Sequence, residues 1–537
     1  MRILKKNKPF NWVLPIDTFG KSKQDVKVIF IGSGITNLCL AALLSKEGYK
    51  VQILESSKDS VGGHARMIKI NGVNFSAGPQ YLWNFGEGET GNKILKYLGL
   101  HKEIEFEKML ENGFETIYLL GIKDPIEVPM GLVKFRDKLI DLFPAEKKGI
   151  TRFFNYTTHL QEAVKYIEDA GLYLLDAKTM KIELLKSSEI SLKTKLYGSR
   201  FSKWSLKKMF DFCDLGDKVR RVIFGHSGIF CESEEDLSYI VYVAATTSYH
   251  RGAWIPKKGF SHFISSICEL ITREGGEILL NKKVNKIIYN SNKTEGVVCA
   301  DGSKYDADFI VSGASPLQTF RLLEGYKDIS IKYQPSNSMT GAFILLKNYK
   351  DLREKMNLRN IWWQVGEAPS NFCTPDMMQP FEFMYIGANN NELSQEDIDR
   401  GYAGIIMFAP ANFEQSKDFA SKGKAIYIDF KIKLKEKFIR FLQEKFFPDI
   451  SNNIVGFKLY TPWDTFEELG AECGNIYGRR LNYENVSMAI PQFEKTKNLF
   501  VTCASIGMPG VAVGFQTAAI LFNKLTNKDI FNVTKND

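Results

Sequence analysis

The sequence predicts an α/β protein, in which a parallel sheet flanked by helices is joined to a mixed α+β region. Three observations predict it. Residues 26–55, VKVIFIGSGITNLCLAALLSKEGYKVQILE, read in order as strand, glycine turn, helix, strand and closing acid. Helix and strand signals return between 255 and 311 and again between 498 and 525. At 537 residues the chain also exceeds what one compact core organises, so two or three joined domains are expected.

The first strand, Val26 to Ile31, is short, β-branched and almost wholly apolar, as a strand buried on both faces should be. Gly32 follows, then Ser33 and Gly34. Ile35, Leu38, Cys39, Ala42 and Leu43 recur at helical spacing, with Gly48 as the stop. A second strand, Lys50 to Leu54, ends in Glu55. Each part has a physical role at a dinucleotide. Gly32 permits a tight turn, and Gly34 lets backbone amides approach a pyrophosphate at the positive end of the helix. Glu55 stands where a carboxylate accepts the hydrogen bonds of a ribose. A third glycine usually lets helix and strand pack closely, and Asn37 occupies that position. Its side chain is expected to push the two slightly apart without removing the phosphate donors.

The next stretch, SSKDSVGGHARMIKINGVNFSAGPQYLW, adds a second glycine pair, Gly62 and Gly63, then His64 and Arg66, and a hairpin-like alternation that ends in Gly78. A nicotinamide-binding domain has no need of this addition. It resembles the FAD-binding region of the glutathione-reductase-like flavoproteins, in the branch that holds amine oxidases and phytoene desaturases. The resemblance implies a Rossmann-like FAD-binding domain in which the glycine pair and a nearby base serve the FAD phosphates. Here His64 replaces the base usually found straight after the pair, with Arg66 two positions on. His64 reads either as a substitute phosphate donor or as a surface histidine.

Residues 85–165 alternate loops with amphipathic helices, and the stripe Phe153, Phe154, Leu160 and Val164 reads as core. In 201–215, FSKWSLKKMFDFCDL, one face gathers Leu206, Met209, Phe210 and Cys213 while Lys203, Trp204, Lys207 and Lys208 surround it. That composition suits a helix lying in a membrane interface, and it equally suits a packed helix with a basic outer face. Phe260 to Arg273 is an amphipathic helix stopped at Gly275–Gly276, followed by two strands and a hairpin turning at Asp301–Gly302. The aromatic-rich segment 331–480 either encloses a long apolar ligand or forms core.

The pieces from Val26 to Leu525 run in one order, which is similar to that of phytoene desaturases, carotenoid isomerases and retinol saturases. Ile255 to Gly259, Val284 to Ile287, Ala307 to Val311 and LYTPWDTFEELGAECGNIYGRR carry the middle of that likeness. The likeness implies that the backbone at Val284 meets adenine, and that Cys503, Ala504, Pro509, Gly510 and Val511 run beside the flavin ring and its ribityl chain. Cys503 puts a side chain where relatives usually have none, and Lys258 stands where a glycine is commoner. The implied division is a basic arm at 1–24, a discontinuous FAD-binding domain from 25–95, 255–330 and 481–537, and a substrate domain from 96–254 and 331–480 with candidate membrane-facing helices.

The formal charge of +9, from 71 basic and 62 acidic residues, gathers into no nucleic-acid-like arm beyond Lys5, Lys6 and Lys8. It suits acidic lipid headgroups or plain solubility. Eight cysteines without a C-x-x-C pair argue against zinc and against a disulfide framework, so a reducing, cytoplasmic setting is expected, with peripheral membrane contact as an option. The first 24 residues lack the apolar core of a signal peptide. Residues 499–522 carry no charge, yet Pro509, Gly510 and Gly514 favour a strand, a turn and a helix over a membrane span. No Ser-His-Asp group, metal box or paired carboxylate offers competing chemistry. The expected function is FAD-dependent desaturation, saturation or isomerisation of carbon–carbon bonds in a lipophilic polyene, isoprenoid or fatty-acyl substrate. Flavin amine oxidation and a flavin-free escort role for prenylated GTPases are the alternatives.

Overall fold

The computed structural model describes residues 22–169, 177–290, 293–323, 334–349, 358–365, 376–487, 498–506 and 509–533, with Leu352 and Met356. Most of the expected basic arm, and Gly507 of the 499–522 stretch, lie outside the described residues.

Five parallel strands form the first sheet: β1 (Lys27–Ile31), β2 (Lys50–Leu54), β3 (Glu277–Leu279), β4 (Phe309–Ser312) and β5 (Leu499–Val501). Their spatial order is β5-β4-β1-β2-β3, and Val28 of β1 sits between Val51 and Phe309. An all-parallel sheet must be covered on both faces, and this one is. Val28 and Phe30 pack against helices α1 (Ile35–Lys46), α2 (Gly259–Arg273) and α3 (Val511–Thr526). Ile29 and Ile31 point the other way, onto the three-stranded antiparallel sheet of Val284–Asn290, Lys293–Cys299 and Lys304–Asp306.

The uncharged 499–522 stretch resolves into β5, a turn and α3, as its Pro and Gly residues predict. No helix among the described residues is long and apolar enough to cross a membrane. Helices α1 and α3 meet at their first turns, where a Cβ added to Gly514 would stand 2.7 Å from Thr36 Oγ1.

A seven-stranded mixed sheet builds the second layer, in the order Ile454–Tyr460, Ser338–Lys347, Tyr402–Ala411, Phe383–Ala388, Asn360–Gln364, Glu115–Leu119 and Ile126–Val128. Its pairs are antiparallel except Asn360–Gln364 with Glu115–Leu119. The helix Lys424–Lys445 covers one face through Phe430, Leu434 and Phe438. On the other, helices Lys147–Asp169, Leu192–Phe201, Leu206–Cys213 and Tyr239–Arg251 share one core with Ile117, Trp362 and Tyr385. The stripe Phe153, Phe154, Leu160 and Val164 lies in that core, as its spacing predicts.

The helix Leu206–Cys213 decides between the two readings of its composition. Leu206, Met209, Phe210 and Cys213 are all buried in the same core, so its apolar face is spent on packing and none of it is offered to a membrane. The structure realises the second of the two readings its composition allowed.

Candidate functional site

The site begins where β1 runs out. Gly32 has φ +81°, a left-handed conformation that side chains rarely adopt, and its N–H donates to Leu54 O at 2.8 Å. Gly34 caps α1, and no side chain caps that helix. A Cβ added to Gly34 would meet no atom within 4 Å, so the bare backbone there faces open space and not a packed neighbour. Helix α3 likewise starts from a glycine, Gly510, without a side-chain cap. The two helices therefore open side by side, each with its first-turn amides uncapped. Such a pair concentrates N–H donors and the positive ends of two helix dipoles, which is an environment for an anion.

Glu55 closes the turn from the side of β2. Its Oε2 accepts from Ser33 N–H at 2.8 Å and from the Ser33 hydroxyl at 2.6 Å. Its Oε1 accepts from Ser57 N–H at 2.7 Å and the Ser56 hydroxyl at 3.1 Å. Glu55 N–H donates to Leu279 O at 2.9 Å, and Lys282 N–H donates to Glu55 O at 2.7 Å. The chain leading to buried Val284 is thereby held against the acid. The second glycine pair joins the first: Gly62 N–H donates to Ser33 O at 3.0 Å, and a Cβ on Gly63 would stand 3.2 Å from Gly34 Cα. Gly32, Ser33, Gly34, Ile35, Glu55, Gly62, Gly63 and Val284 are therefore one neighbourhood.

His64 is exposed, and its Nε2 lies 3.1 Å from Asn475 O. A carbonyl only accepts, so Nε2 carries the proton. Gly78 sits beneath it, since an added Cβ would stand 2.4 Å from His64 O. Arg66 is buried. Its Nη2 donates to Glu468 at 2.8 Å, and its guanidinium lies 5.2 Å from the Tyr460 ring centroid. Arg66 thus ties the glycine-pair loop to the helix Pro462–Leu469.

Asn37 is built into the turn. Its side chain is buried, and Nδ2 donates to Gly32 O at 2.7 Å and Ile31 O at 3.1 Å, while Oδ1 accepts from the Thr502 hydroxyl. Gly313 supplies the room, since a Cβ there would stand 2.8 Å from Asn37 Nδ2. The missing third glycine has in effect moved across the interface, and the amide clasps the turn to the residue after β5. Cys503 and Ala504 continue directly from that clasp, half-buried, and burial pushes the Cys503 thiol up to about 11. Pro509 and Val511 are buried on either side of Gly510, whose added Cβ would stand 2.7 Å from the Trp83 ring.

Sequence reasoning missed a buried polar group in the second layer. The Tyr81 hydroxyl donates to Glu115 Oε1 at 2.7 Å, and Glu115 Oε2 lies 3.5 Å from His226 Nδ1. Burial pushes the Glu115 carboxyl up to about 7 and the His226 imidazole down to about 3, so both are driven towards neutrality. The Tyr81 and Tyr249 ring centroids lie 4.6 Å apart, and those of Tyr249 and Trp83 4.8 Å apart, which links the acid to Gly510 through aromatic rings. The one signal in the sequence is a lone acid in an apolar strand, FETIYLL.

This geometry is that of an α/β fold in which a glycine turn and two uncapped helix N-termini meet at the carboxyl ends of the parallel strands. Residues 38–339 match the family model "Flavin containing amine oxidoreductase", more than half of the chain, and the chain belongs to that family. It is 23% identical to an all-trans-retinol 13,14-reductase of Danio rerio, over 95% of this chain and 88% of that one. It is 22% identical to a lycopene-forming phytoene desaturase of Pseudescherichia vulneris, over 92% and 98% respectively. Among solved structures, a redesigned putrescine oxidase superposes with TM-score 0.58 at 12% identity, covering 95% of this chain and 100% of that one. The chain is a flavin-dependent oxidoreductase, and the flavin-free escort alternative gives way to that membership.

Proposed function

We propose that the chain binds FAD and adds or removes hydrogen across a carbon–carbon pair of a lipophilic polyene or isoprenoid substrate. The observation that carries the cofactor half is the pair of uncapped helix N-termini at Gly34 and Gly510, beside a bare turn with no protein atom in the space its Cβ atoms would fill. A pyrophosphate fits that donor set by charge and by room. Gly32, Ser33, Gly34, Ile35, Gly62 and Gly63 would hold the phosphates, Glu55 the ribose, and the backbone at Val284 the adenine. Cys503, Ala504, Pro509, Gly510 and Val511 would flank the flavin. Asn37 braces the turn through Gly32 O and Ile31 O, and Arg66 braces the glycine-pair loop through its Nη2 bond to Glu468. His64 and Gly78 line the edge of the same loop.

Bound FAD supplies hydride acceptance or donation at carbon. The chain's own residues bind it, exclude water, and enclose the substrate beside the aromatic row Trp83, Tyr249 and Tyr81. Support for a polyene substrate comes from the relatives, whose names place them on retinol and on a carotenoid precursor. The implied division into a discontinuous cofactor domain and a substrate domain belongs to the same proposal.

The absorbance spectrum of the purified protein tests the cofactor, with flavin bands expected and colourless material that refuses added FAD counting against it. Mass spectrometry of co-purified lipid and of turnover products with retinoid and carotenoid substrates tests the rest. Amine oxidation is the second reading, favoured by the description of the family model. Hydrogen peroxide released on adding amines, without any change in polyenes, would establish it in place of the first.

A further inference from the structure

One stretch of the chain is strongly basic. Residues 181–208 hold eight basic and two acidic residues, which is +6 of the chain's +9. The same stretch exposes large aliphatic side chains: Ile182 at 40%, Leu185 at 47%, Leu192 at 73% and Leu196 at 61%. Leu192 and Leu196 stand one helical turn apart on Leu192–Phe201, which packs beside the helix Ala177–Lys186 that carries the other two. Trp204 follows, half-buried, with the Arg200 guanidinium 5.9 Å and the Lys208 ammonium 4.8 Å from its ring centroid.

We propose that this two-helix surface docks the protein onto a bilayer bearing anionic lipid headgroups, with Leu192 and Leu196 entering the acyl boundary and the basic residues meeting the headgroups. Charge complementarity selects the occupant. Exposed aliphatics, a basic rim and an interfacial tryptophan are together what an amphipathic membrane face requires. A protein partner would meet the charge, but long basic side chains around exposed aliphatics on two short helices suit a fluid surface. The surface is also continuous with the interior. Phe201, on the inner side of Leu192–Phe201, belongs to the same core as Tyr249 and Tyr81, whose rings lead to Trp83 and Gly510. A lipophilic molecule leaving the bilayer here would enter beside the helical layer whose core holds those rings.

A second basic helix, Lys424–Lys445, exposes Ile426, Ile428 and Ile432, but it covers the opposite face of the mixed sheet and its core excludes Trp83 and Tyr81. It serves as the control. The full chain is sedimented with phosphatidylcholine vesicles, with and without phosphatidylserine. Wild type is expected to bind the anionic vesicles and not the neutral ones, with each basic residue that reaches the surface adding about fivefold in affinity. Leu192→Ser with Leu196→Ser, and separately Lys181→Glu with Lys193→Glu, are expected to weaken that binding roughly tenfold or more while flavin absorbance and circular dichroism stay unchanged. Ile426→Ser with Ile428→Ser should bind like wild type. Equal binding to both vesicle types, undiminished binding by the 181–196 variants, or loss confined to the 426–428 variant overturns the proposal. So does a wild-type dimer that these substitutions dissolve without changing vesicle binding. The readout needs neither flavin nor turnover, so docking and the redox reading fail separately.

Discussion

Glu55 engages four donors at once, and two of them belong to Ser33 in the turn it faces. Its removal acts on two levels. Glu55→Ala is expected to strip flavin, read as loss of absorbance on gel filtration, and also to lower stability by about 1–3 kcal/mol because the Ser33 donors lose their acceptor. Gly34→Val separates the effects. The open space beside Gly34 accepts the side chain, so the apoprotein should melt as wild type does while flavin is lost. Retention of full flavin by either variant would argue against the assignment. Glu115 makes a prediction about pH. Folded Glu115 keeps its proton up to about 7 against an ordinary value of 4.5, so stability falls as pH rises through that window. His226, pushed from 6.5 down to about 3, works the other way, and its contribution is complete above about 6.5. Between pH 6.5 and 8 the carboxyl term stands out, worth about 1 kcal/mol, and Glu115→Gln should flatten that part of a chemical-denaturation series. Glu55 was legible in the sequence because the fingerprint fixes its distance from Gly32. Glu115 was not, because its partners Tyr81 and His226 are remote in sequence and only the folded layer brings them together.

At the level of elements, the helix–strand contact of the nucleotide motif is built from a pair of positions. The sequence shows Asn37 at the third glycine's place, but not that Gly313 faces its side chain or that Thr502 completes its hydrogen bonds. Gly313→Ala should destabilise by about 1–3 kcal/mol through overpacking against Asn37. Adding Asn37→Gly should relieve most of that cost, a non-additivity readable in a double-mutant cycle of denaturation midpoints. Additive losses would show that the two side chains do not share the space. The Leu206–Cys213 helix teaches the complementary lesson. Its period marked an apolar face correctly, and periodicity alone does not say whether a helix lies over protein or over lipid.

For the whole molecule, the order of motifs carried more information than any one of them. Strands of the first sheet come from 27–54, 277–312 and 499–501, so a single sheet is assembled from widely separated stretches that sequence order alone had aligned with the flavoprotein pattern. The mixed sheet was less legible, because its aromatic strands read equally as core or as ligand lining. Because the proposed site draws on all three stretches, ligand binding should stabilise the fold globally. FAD at about 100 times its dissociation constant is expected to add about 2.7 kcal/mol to the unfolding free energy of apoprotein, seen as one raised melting transition. A melt that ignores FAD would contradict a site shared among these segments.

The clasp between Asn37 and Thr502 spans 465 positions of the chain. On a nascent polypeptide the glycine turn is made long before β5 and α3. Polypeptides that stall before residue 498 are therefore expected to be released colourless, however well their early segments have folded.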